Sequence, residues 1–394
     1  MNRKFFRSAL LPMVCAFVLA YGCDSSEDDG LDDVRVFTAA AEISGVTGSG
    51  AINPTQLFAT LGGPILMVDG ASGSIVLLGT DGVPSIFASR DEILAATGGM
   101  TASIGPLDQI RLGALAGQIV AVDSVSGLIV RFALDGTPTL HTTEAQVIQA
   151  TGETEADLRL PRALTSNQII AQDLESGHIL VFGNTGTAQI LTEIDDLVTA
   201  TGLTAGESVI AQWVTVGSAG FQYGRVGTTG PIVRLRVNGQ VERHVTRADL
   251  ADLFANLDEA DLRIHDLAGT TGSSSYLVLV GTATRGLAVV LVKEDGTPEV
   301  LTSEQEFTQA ASAGYDITDI GILESSLLPF AIDGGNMQIL VLTGQSGTPR
   351  LLATRAEIEL AAGTDSPVLT IGAPLRSEAV IVPDFTTDNV LRAE

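Results

Sequence analysis

The sequence predicts an all-β fold, a seven-bladed β-propeller, from three observations. An apolar phrase ending in an acid or amide recurs about every fifty residues, as in Leu66-Met-Val-Asp69, Val120-Ala-Val-Asp123 and Ile170-Ala-Gln-Asp173. Each repeat contains four short apolar runs bounded by Gly, Asp, Ser or Pro, which is typical of antiparallel strands joined by turns. One helical run separates each repeat from the next. Self-similarity at this period predicts an array of supersecondary units.

The second repeat illustrates the unit. Strands are predicted over residues 110–115, 118–123, 128–132 and 137–141, with a turn at Asp135-Gly136 between the last two. Four antiparallel strands followed by a long return connection describe a propeller blade. A parallel α/β sheet is the alternative, and the short turns between strands argue against it, because parallel strands need long crossovers.

A short helix is predicted between consecutive blades. In the second repeat it covers residues 142–152, where Val147, Ile148 and Thr151 have helical spacing. A Ser or Thr followed three residues later by an acid or amide is the capping-box pattern of a helix start. It recurs as Ser89…Glu92, Thr143…Gln146, Thr192…Asp195, Thr246…Asp249, Thr302…Gln305 and Thr354…Glu357. Glycines at 98, 152, 202, 314 and 363 fit the left-handed position that ends such helices.

The blade count follows from the second-strand phrase, which recurs seven times, near residues 66, 120, 170, 223, 278, 331 and 381. The last copy stops one strand short, after Asn389-Val-Leu391. The missing outer strand is predicted at the other end, over Val34-Arg-Val-Phe37, followed by its own helical run at 38–45. An N-terminal strand would thereby close the ring and remove its open edge.

The first residues predict export and a lipid anchor. Arg3, Lys4 and Arg7 precede an apolar stretch of about thirteen residues, which is too short to span a bilayer and is typical of a signal peptide over residues 1–22. Leu19-Ala-Tyr-Gly-Cys23 resembles the lipobox of bacterial lipoproteins. The resemblance implies that Cys23 is lipidated and holds the protein to a membrane of the bacterial envelope, facing the periplasm or the exterior. An ordinary signal peptide with a chance cysteine is the alternative.

Residues 23–33 are predicted to be a disordered tether, because they carry six carboxylates, no cation and almost nothing to bury. Residues 34–394 then form the propeller domain. The formal charge of −26 becomes −29 once the three cations of the signal peptide are removed. A field of that sign repels phosphate backbones, so we expect no nucleic-acid partner.

One repeat resembles a known family. The segments Gln118-Ile-Val-Ala-Val-Asp123, Ile129-Val-Arg-Phe132 and Leu134-Asp-Gly136 are similar to the NHL-type repeat of six- and seven-bladed propellers. The likeness covers the two middle strands of three units, and the chain lacks the Asn-x-Arg that precedes the third strand in that family. It implies a propeller fold. The resemblance also implies that enzymes of the lactonase or lyase sort, with sites on the axis, are related to this repeat, and that the lactonases among them hold a metal there through carboxylate and amide side chains.

The best-repeated polar residues are predicted to build the scaffold. Asp69, Asp123, Asp173, Asp333 and Asp384 stand where a second strand turns into a third, and an Asp there accepts from turn amides. A calcium site is the alternative, but it would need several oxygens around one ion, and we expect the spacing between blades to prevent this.

Candidate binding residues lie on the first strands, which should line the axis. They are Arg111, Arg159, Arg263, His265, Gln212 and Asp319. A cluster of guanidinium groups would suit a carboxylate or phosphate ligand. The alternative is that the arginines pair with carboxylates of neighbouring blades, such as Asp108, Asp157 and Asp261.

The pattern predicts a binding protein rather than an enzyme. Catalytic signatures such as Gly-x-Ser-x-Gly and His-Glu-x-x-His are absent from the sequence, and its four histidines lack zinc-site spacing. We therefore expect an envelope propeller that binds or assembles a protein or small anionic ligand, with no catalytic residue, metal or cofactor. A lactonase- or lyase-type enzyme with an axial site is the alternative, for which Gln212 and Asp319 are the first-strand residues of suitable chemistry.

Overall fold

The computed structural model describes residues 34–393 apart from 61–62, 100–102, 111–114, 166, 217–220, 228, 256, 270–273, 312–313, 324–327, 344–346, 370–372 and 375–378. The predicted signal peptide, the tether, Cys23 and Arg111 lie outside the described residues. Within them, no helix has the length and apolar character needed to cross a membrane.

The described residues form an all-β fold of 28 strands. The strands are β1 Arg35–Thr38, β2 Pro54–Ala59, β3 Ile65–Asp69, β4 Ser74–Leu78, β5 Pro84–Ala88, β6 Asp108–Gln109, β7 Ile119–Asp123, β8 Leu128–Phe132, β9 Pro138–Leu140, β10 Leu158–Thr165, β11 Gln168–Asp173, β12 Ile179–Phe182, β13 Ala188–Thr192, β14 Ile210–Thr215, β15 Phe221–Val226, β16 Ile232–Arg236, β17 Val241–Val245, β18 Arg263–Gly269, β19 Tyr276–Gly281, β20 Gly286–Val292, β21 Pro298–Thr302, β22 Ile317–Ile322, β23 Pro329–Asp333, β24 Gln338–Thr343, β25 Thr348–Ala353, β26 Ala373–Pro374, β27 Val380–Pro383 and β28 Val390–Ala393.

Short helices follow the outer strands. They are α1 Ala40–Thr47, α2 Arg90–Thr97, α3 Glu144–Thr151, α4 Ile194–Thr201, α5 Arg247–Ala251, α6 Glu304–Ala311 and α7 Arg355–Ala362, with a 3₁₀ turn at Ala205–Glu207.

The strands pair antiparallel in groups of four. We name these groups sheet 1 (β2–β5), sheet 2 (β6–β9), sheet 3 (β10–β13), sheet 4 (β14–β17), sheet 5 (β18–β21), sheet 6 (β22–β25) and sheet 7 (β26, β27, β28 and β1). Sheets 5 and 6 are also joined by the single pair Gly286 and Ile317. In sheet 7 the N-terminal strand β1 pairs with the C-terminal strand β28. The first strand of sheet 2 is described at Asp108–Gln109, and residues 111–114 of the run predicted for it, 110–115, lie outside the described residues.

Apolar clusters hold the sheets face to face. The described residues contain seven such clusters, and each joins two consecutive sheets. Sheets 2 and 3, for example, meet through Val122 and Leu180. Sheet 7 meets sheet 1 through Ile381 and Met67. Each sheet therefore contributes buried residues to two clusters, which accounts for strands such as β3 in which every residue is buried.

The predicted helix caps are present in most repeats. Ser89, Thr143, Thr246 and Thr354 each accept a hydrogen bond from the backbone three residues on, with the reciprocal bond returned by the acid or amide. Glycines 98, 152, 202 and 363 end their helices in the left-handed conformation.

Two of the predicted caps were wrong. The box before α6 uses Ser303 with Glu306, one residue later than the predicted Thr302 with Gln305. Helix α4 begins at Glu193 without a side-chain cap. Both displaced threonines, Thr192 and Thr302, are buried and donate to a carbonyl of the next sheet, which takes them away from the helix start.

The recurrent aspartates stabilise turns, as predicted. All five are fully buried. Asp69 Oδ1 accepts from the amide of Ala71 at 3.1 Å and from the amide of Asn53 at 2.7 Å. The second bond reaches the segment that enters the first strand of the same sheet. Each carboxylate therefore fixes both its own turn and the arrival of the chain from the previous sheet.

Hairpin glycines make close contacts between sheets. Gly186, in the turn between β12 and β13, has φ of 77°. A Cβ atom at this position would overlap the backbone carbonyl of His141 in sheet 2. Gly82, Gly136 and Gly239 meet outer-strand carbonyls of the preceding sheet in the same way. Only glycine permits this approach at a positive φ.

We predict that Gly186→Ala destabilises the fold by at least about 2 kcal/mol more than Gly152→Ala. Both glycines have positive φ, 77° and 81°, so both substitutions carry the left-handed strain of about 1–2 kcal/mol. Gly152 has open space around it, whereas Gly186 meets the His141 carbonyl. Urea unfolding of the two variants measures the difference. Equal midpoints would show that the sheets do not depend on this contact.

Candidate functional site

Polar side chains on the first strands connect one sheet to the next. Gln56 of sheet 1 accepts from the amide of Leu107, in the segment entering sheet 2, at 2.9 Å. Asp108 of sheet 2 accepts from the amide of Ala163 at 2.9 Å and from Arg162 at 3.0 Å, both in sheet 3. These bonds cross between strands about fifty residues apart, so they align neighbouring first strands.

The same arrangement continues through sheets 4, 5 and 6. Gln212 Nε2 donates to Asp266 Oδ1 at 2.6 Å and to the carbonyl of Leu267 at 3.0 Å. The Gln212 amide oxygen accepts from the Leu267 backbone at 3.1 Å. Asp266 also accepts from the Leu267 amide at 2.8 Å and, through Oδ2, from the amide of Ile320 at 3.2 Å. Gln212 and Asp266 therefore act as bridges between three consecutive sheets.

The predicted axial arginines have partners close by. Arg159 forms an ion pair with Asp157 at 3.0 Å, which was one of the predicted alternatives, although the carboxylate belongs to the same sheet. Arg263 donates to the carbonyls of Ala260 and Leu262 at 2.8 and 2.9 Å. His265 contacts the carbonyl of Thr282 at 2.8 Å through Nε2.

The remaining predicted site residues are placed as follows. Asp319 lies in β22, directly before Ile320, whose amide binds Asp266. Arg111 lies outside the described residues. Among the candidate residues, a hydrogen bond to Asp266 joins Gln212 to strand β18, which also contains His265. Arg159 and Arg263 instead bind separate partners close to them in the sequence.

Two other polar features belong to the core. Trp213 is completely buried in the cluster between sheets 3 and 4. His141 is 5% exposed, and burial lowers the pKa of its imidazole to about 4, with a smaller contribution from nearby Arg131. In the described part of the chain, no three His, Cys, Asp or Glu side chains come together as a potential metal site.

A groove of about 830 Å³ opens between sheet 5 and helix α6. One wall is the segment after α5, with Leu253, Phe254 and Leu257, and Leu287 of β20 contributes to its lining. Helix α6 forms the other side, including the exposed Gln309. The lining is mainly apolar, as in many binding sites. This groove is not among the sites predicted from the sequence. Its sequence signal is a set of apolar residues, Leu253, Phe254 and Leu257, in a connection between a helix and a strand.

Solved structures with similar folds are β-propeller proteins. A streptogramin B lyase has a TM-score of 0.61 at 13% identity, covering 92% of this chain and 97% of the lyase. YCF48 bound to D1 peptide has a TM-score of 0.54 at 10% identity, covering 87% and 95%. The extracellular domain of a candidate one-component system from B. thetaiotaomicron has a TM-score of 0.55 at 9% identity, covering 92% of this chain and 40% of that one.

The described chain has a propeller-like fold. At these identities the likeness concerns the fold alone, and the similar proteins include both an enzyme and binding or extracellular domains. No protein-family model matches the sequence, and no curated protein matches it significantly. The prediction of an all-β propeller is confirmed at the level of the fold class.

We predict that Asp266→Ala destabilises the protein by about 1–3 kcal/mol, because the Ile320 amide and part of the Gln212 amide group lose a partly buried acceptor. Asp261→Ala, an exposed carboxylate just before β18, is the matched control and should change stability by less than about 0.5 kcal/mol. Chemical denaturation of both variants tests this. A similar small effect for both would remove the bridging role from Asp266.

Proposed function

We propose that this chain is a seven-bladed propeller, held at the bacterial cell envelope by a lipid on Cys23, that binds a protein partner or small anionic ligand. Catalysis is not part of the proposal. The observation that carries it is the use of first-strand polar side chains as bridges between sheets. Gln56, Asp108, Gln212 and Asp266 all bind the neighbouring first strand, which favours a rigid scaffold over a reactive axial site.

Contacts between the two chain ends support a closed ring. Strand β1 pairs with β28 through Arg35 with Arg392 and Val36 with Leu391. The apolar cluster between sheets 7 and 1 includes Ile43 of helix α1. In a ring of this kind the N-terminal strand completes the last blade, and no sheet keeps an uncovered face.

An envelope location is supported by the N-terminal sequence pattern of a signal peptide, a cysteine and an acidic tether. The similar fold of an extracellular domain from B. thetaiotaomicron is compatible with this location. YCF48, which has been solved with D1 peptide bound, provides a precedent for a propeller of similar size that binds a peptide.

The hydrogen bonds of Gln212, a candidate metal ligand, argue against the enzyme alternative. A lactonase-type site would use Gln212 and Asp319 as metal ligands. Both polar atoms of the Gln212 amide group are already bound, to Asp266 and to the Leu267 backbone. Using Gln212 as a ligand would break the bridge between sheets 4 and 5.

We assign the groove beside α6 to an apolar segment of the protein partner, since its lining includes Leu253, Phe254 and Leu257. A photo-reactive benzoylphenylalanine at Gln309, on the groove side of α6, should give one discrete adduct in intact envelopes. Leu360 occupies the same position along α7 and is 84% exposed, so it provides the control site. Labelling of neither site, or equal labelling at both, would contradict the assignment.

If Cys23 carries the lipid anchor, we expect Cys23→Ala to move the protein out of the membrane fraction. The negatively charged domain is repelled by anionic lipid and would not hold the protein there by itself. Cys15→Ala, inside the predicted signal peptide, should leave the protein membrane-bound. Fractionation at high salt, followed by blotting, measures both. Retention of the Cys23→Ala protein in the membrane would show that the anchor lies elsewhere.

A further inference from the structure

Arg225 occupies a position that is buried and uncharged in other sheets. It lies in β15 opposite an isoleucine of the third strand. The residues with the same isoleucine pairing are Val68, Val122, Gln172 and Ile332. These four are at most 3% exposed, whereas Arg225 is partly exposed. Sheet 4 has therefore placed a cation where its neighbours place core residues.

The equivalent residue in sheet 3 shows how a polar side chain is normally satisfied here. Gln172 donates to the carbonyls of Gly177 and Ser208 at 3.1 and 3.0 Å. Its amide oxygen accepts from the Ile210 backbone at 2.8 Å. The bonds to Ser208 and Ile210 join sheet 3 to sheet 4, so Gln172 is a structural bridge.

Arg225 is only partly satisfied. Its Nη1 donates to the carbonyl of Ile264 in sheet 5 at 2.8 Å. Its Nε is buried and has no hydrogen-bond partner. Among the described residues, no carboxylate lies within ion-pair distance of its guanidinium. Arginine binds carboxylates in forked geometry through the edge formed by Nε and Nη2, and no described residue of the chain provides an acceptor there.

The nearest acid is already committed to other bonds. Asp266 attracts the Arg225 charge from a distance, while its oxygens accept from Gln212, Leu267 and Ile320. Burial lowers the pKa of the Arg225 guanidinium, and Asp266 opposes this shift. The group stays charged at neutral pH, because the ordinary arginine pKa is so high. A partly buried guanidinium without an ion-pair partner destabilises the fold unless a bound anion neutralises its charge.

We propose that Arg225 anchors a binding site for a small organic carboxylate at the edge between sheets 4 and 5. The ligand carboxylate accepts two hydrogen bonds from Nε and Nη2 once the side chains that cover the buried Nε move aside, while Nη1 remains on the Ile264 carbonyl. Gln212 faces Arg225 across the strand pair and, through its bonds to sheet 5, fixes the spacing of the two sheets around the site. Arg263 does not contribute, since its guanidinium is turned to the carbonyls of Ala260 and Leu262.

This site specifies the anionic ligand of the proposed function but is separate from the α6 groove. Loss of the Gln309 adduct would therefore remove the protein partner and leave the Arg225 site untouched. Failure of carboxylate binding would remove the Arg225 site and leave the groove assignment standing.

Isothermal titration calorimetry with sodium succinate tests the proposal on the full chain in detergent, at constant ionic strength set by sodium chloride. We expect saturable binding of one succinate per chain, weakened about 10-fold or more in Arg225→Gln, because charge-assisted hydrogen bonds are lost. Arg159→Gln removes an arginine already paired with Asp157 and should bind as the parent does. Equal affinity in Arg225→Gln and the parent would overturn the proposal.

Two further measurements distinguish carboxylate recognition from general anion binding and from a folding defect. Inorganic phosphate replaces succinate in a parallel titration, and tighter binding of phosphate would overturn the carboxylate assignment. If Arg225→Gln fails to fold, the arginine Nε–Hε resonances of the unmodified protein are followed by NMR during the succinate titration. One resonance should shift with the calorimetric affinity, and no movement at saturation would overturn the site.

Discussion

Burial of both faces of every sheet is the constraint on which this structure depends. Strands β3 and β7 contain no exposed residue, so neither sheet 1 nor sheet 2 could face water on either side. Each sheet therefore requires a neighbour before it and after it. Apolar clusters meet this need between all consecutive sheets and between sheet 7 and sheet 1. Apolar burial brings the sheets together, and the polar contacts between first strands then align each sheet with the next.

Much of this architecture could be predicted because its signals are local. The turn aspartates and the capping boxes act within a few residues, so Asp69 and Thr354 could be assigned from the sequence and have the expected bonds. The displaced boxes at Thr192 and Thr302 show the limit. Each threonine hydroxyl reaches a carbonyl more than forty residues away, and a long-range partner of this kind leaves no local trace.

The site was harder to predict for the same reason. The first-strand residues were expected to face a ligand, but Gln212 faces the next sheet instead. Arg225 lies on a second strand, and its significance depends on what surrounds it: a buried Nε and an acid, Asp266, that is already occupied. The one sequence signal was the charge at a position where other repeats carry valine, isoleucine or glutamine. Residues that recur in most repeats, such as the turn aspartates, belong to the scaffold. The candidate binding residue, Arg225, is one that differs from its equivalents in other repeats.

The turn aspartates also bear on how such a protein can change over evolutionary time. Each binds the segment entering the first strand through a backbone amide, supplied by Asn53 in sheet 1, Ser103 in sheet 2 and Val368 in sheet 7. Any residue except proline can provide that donor, so the side chains of the connecting segments are under little restriction from the anchor. The connections can diverge in composition and length while the sheets stay in place. A propeller built in this way can acquire new ligands by altering its loops.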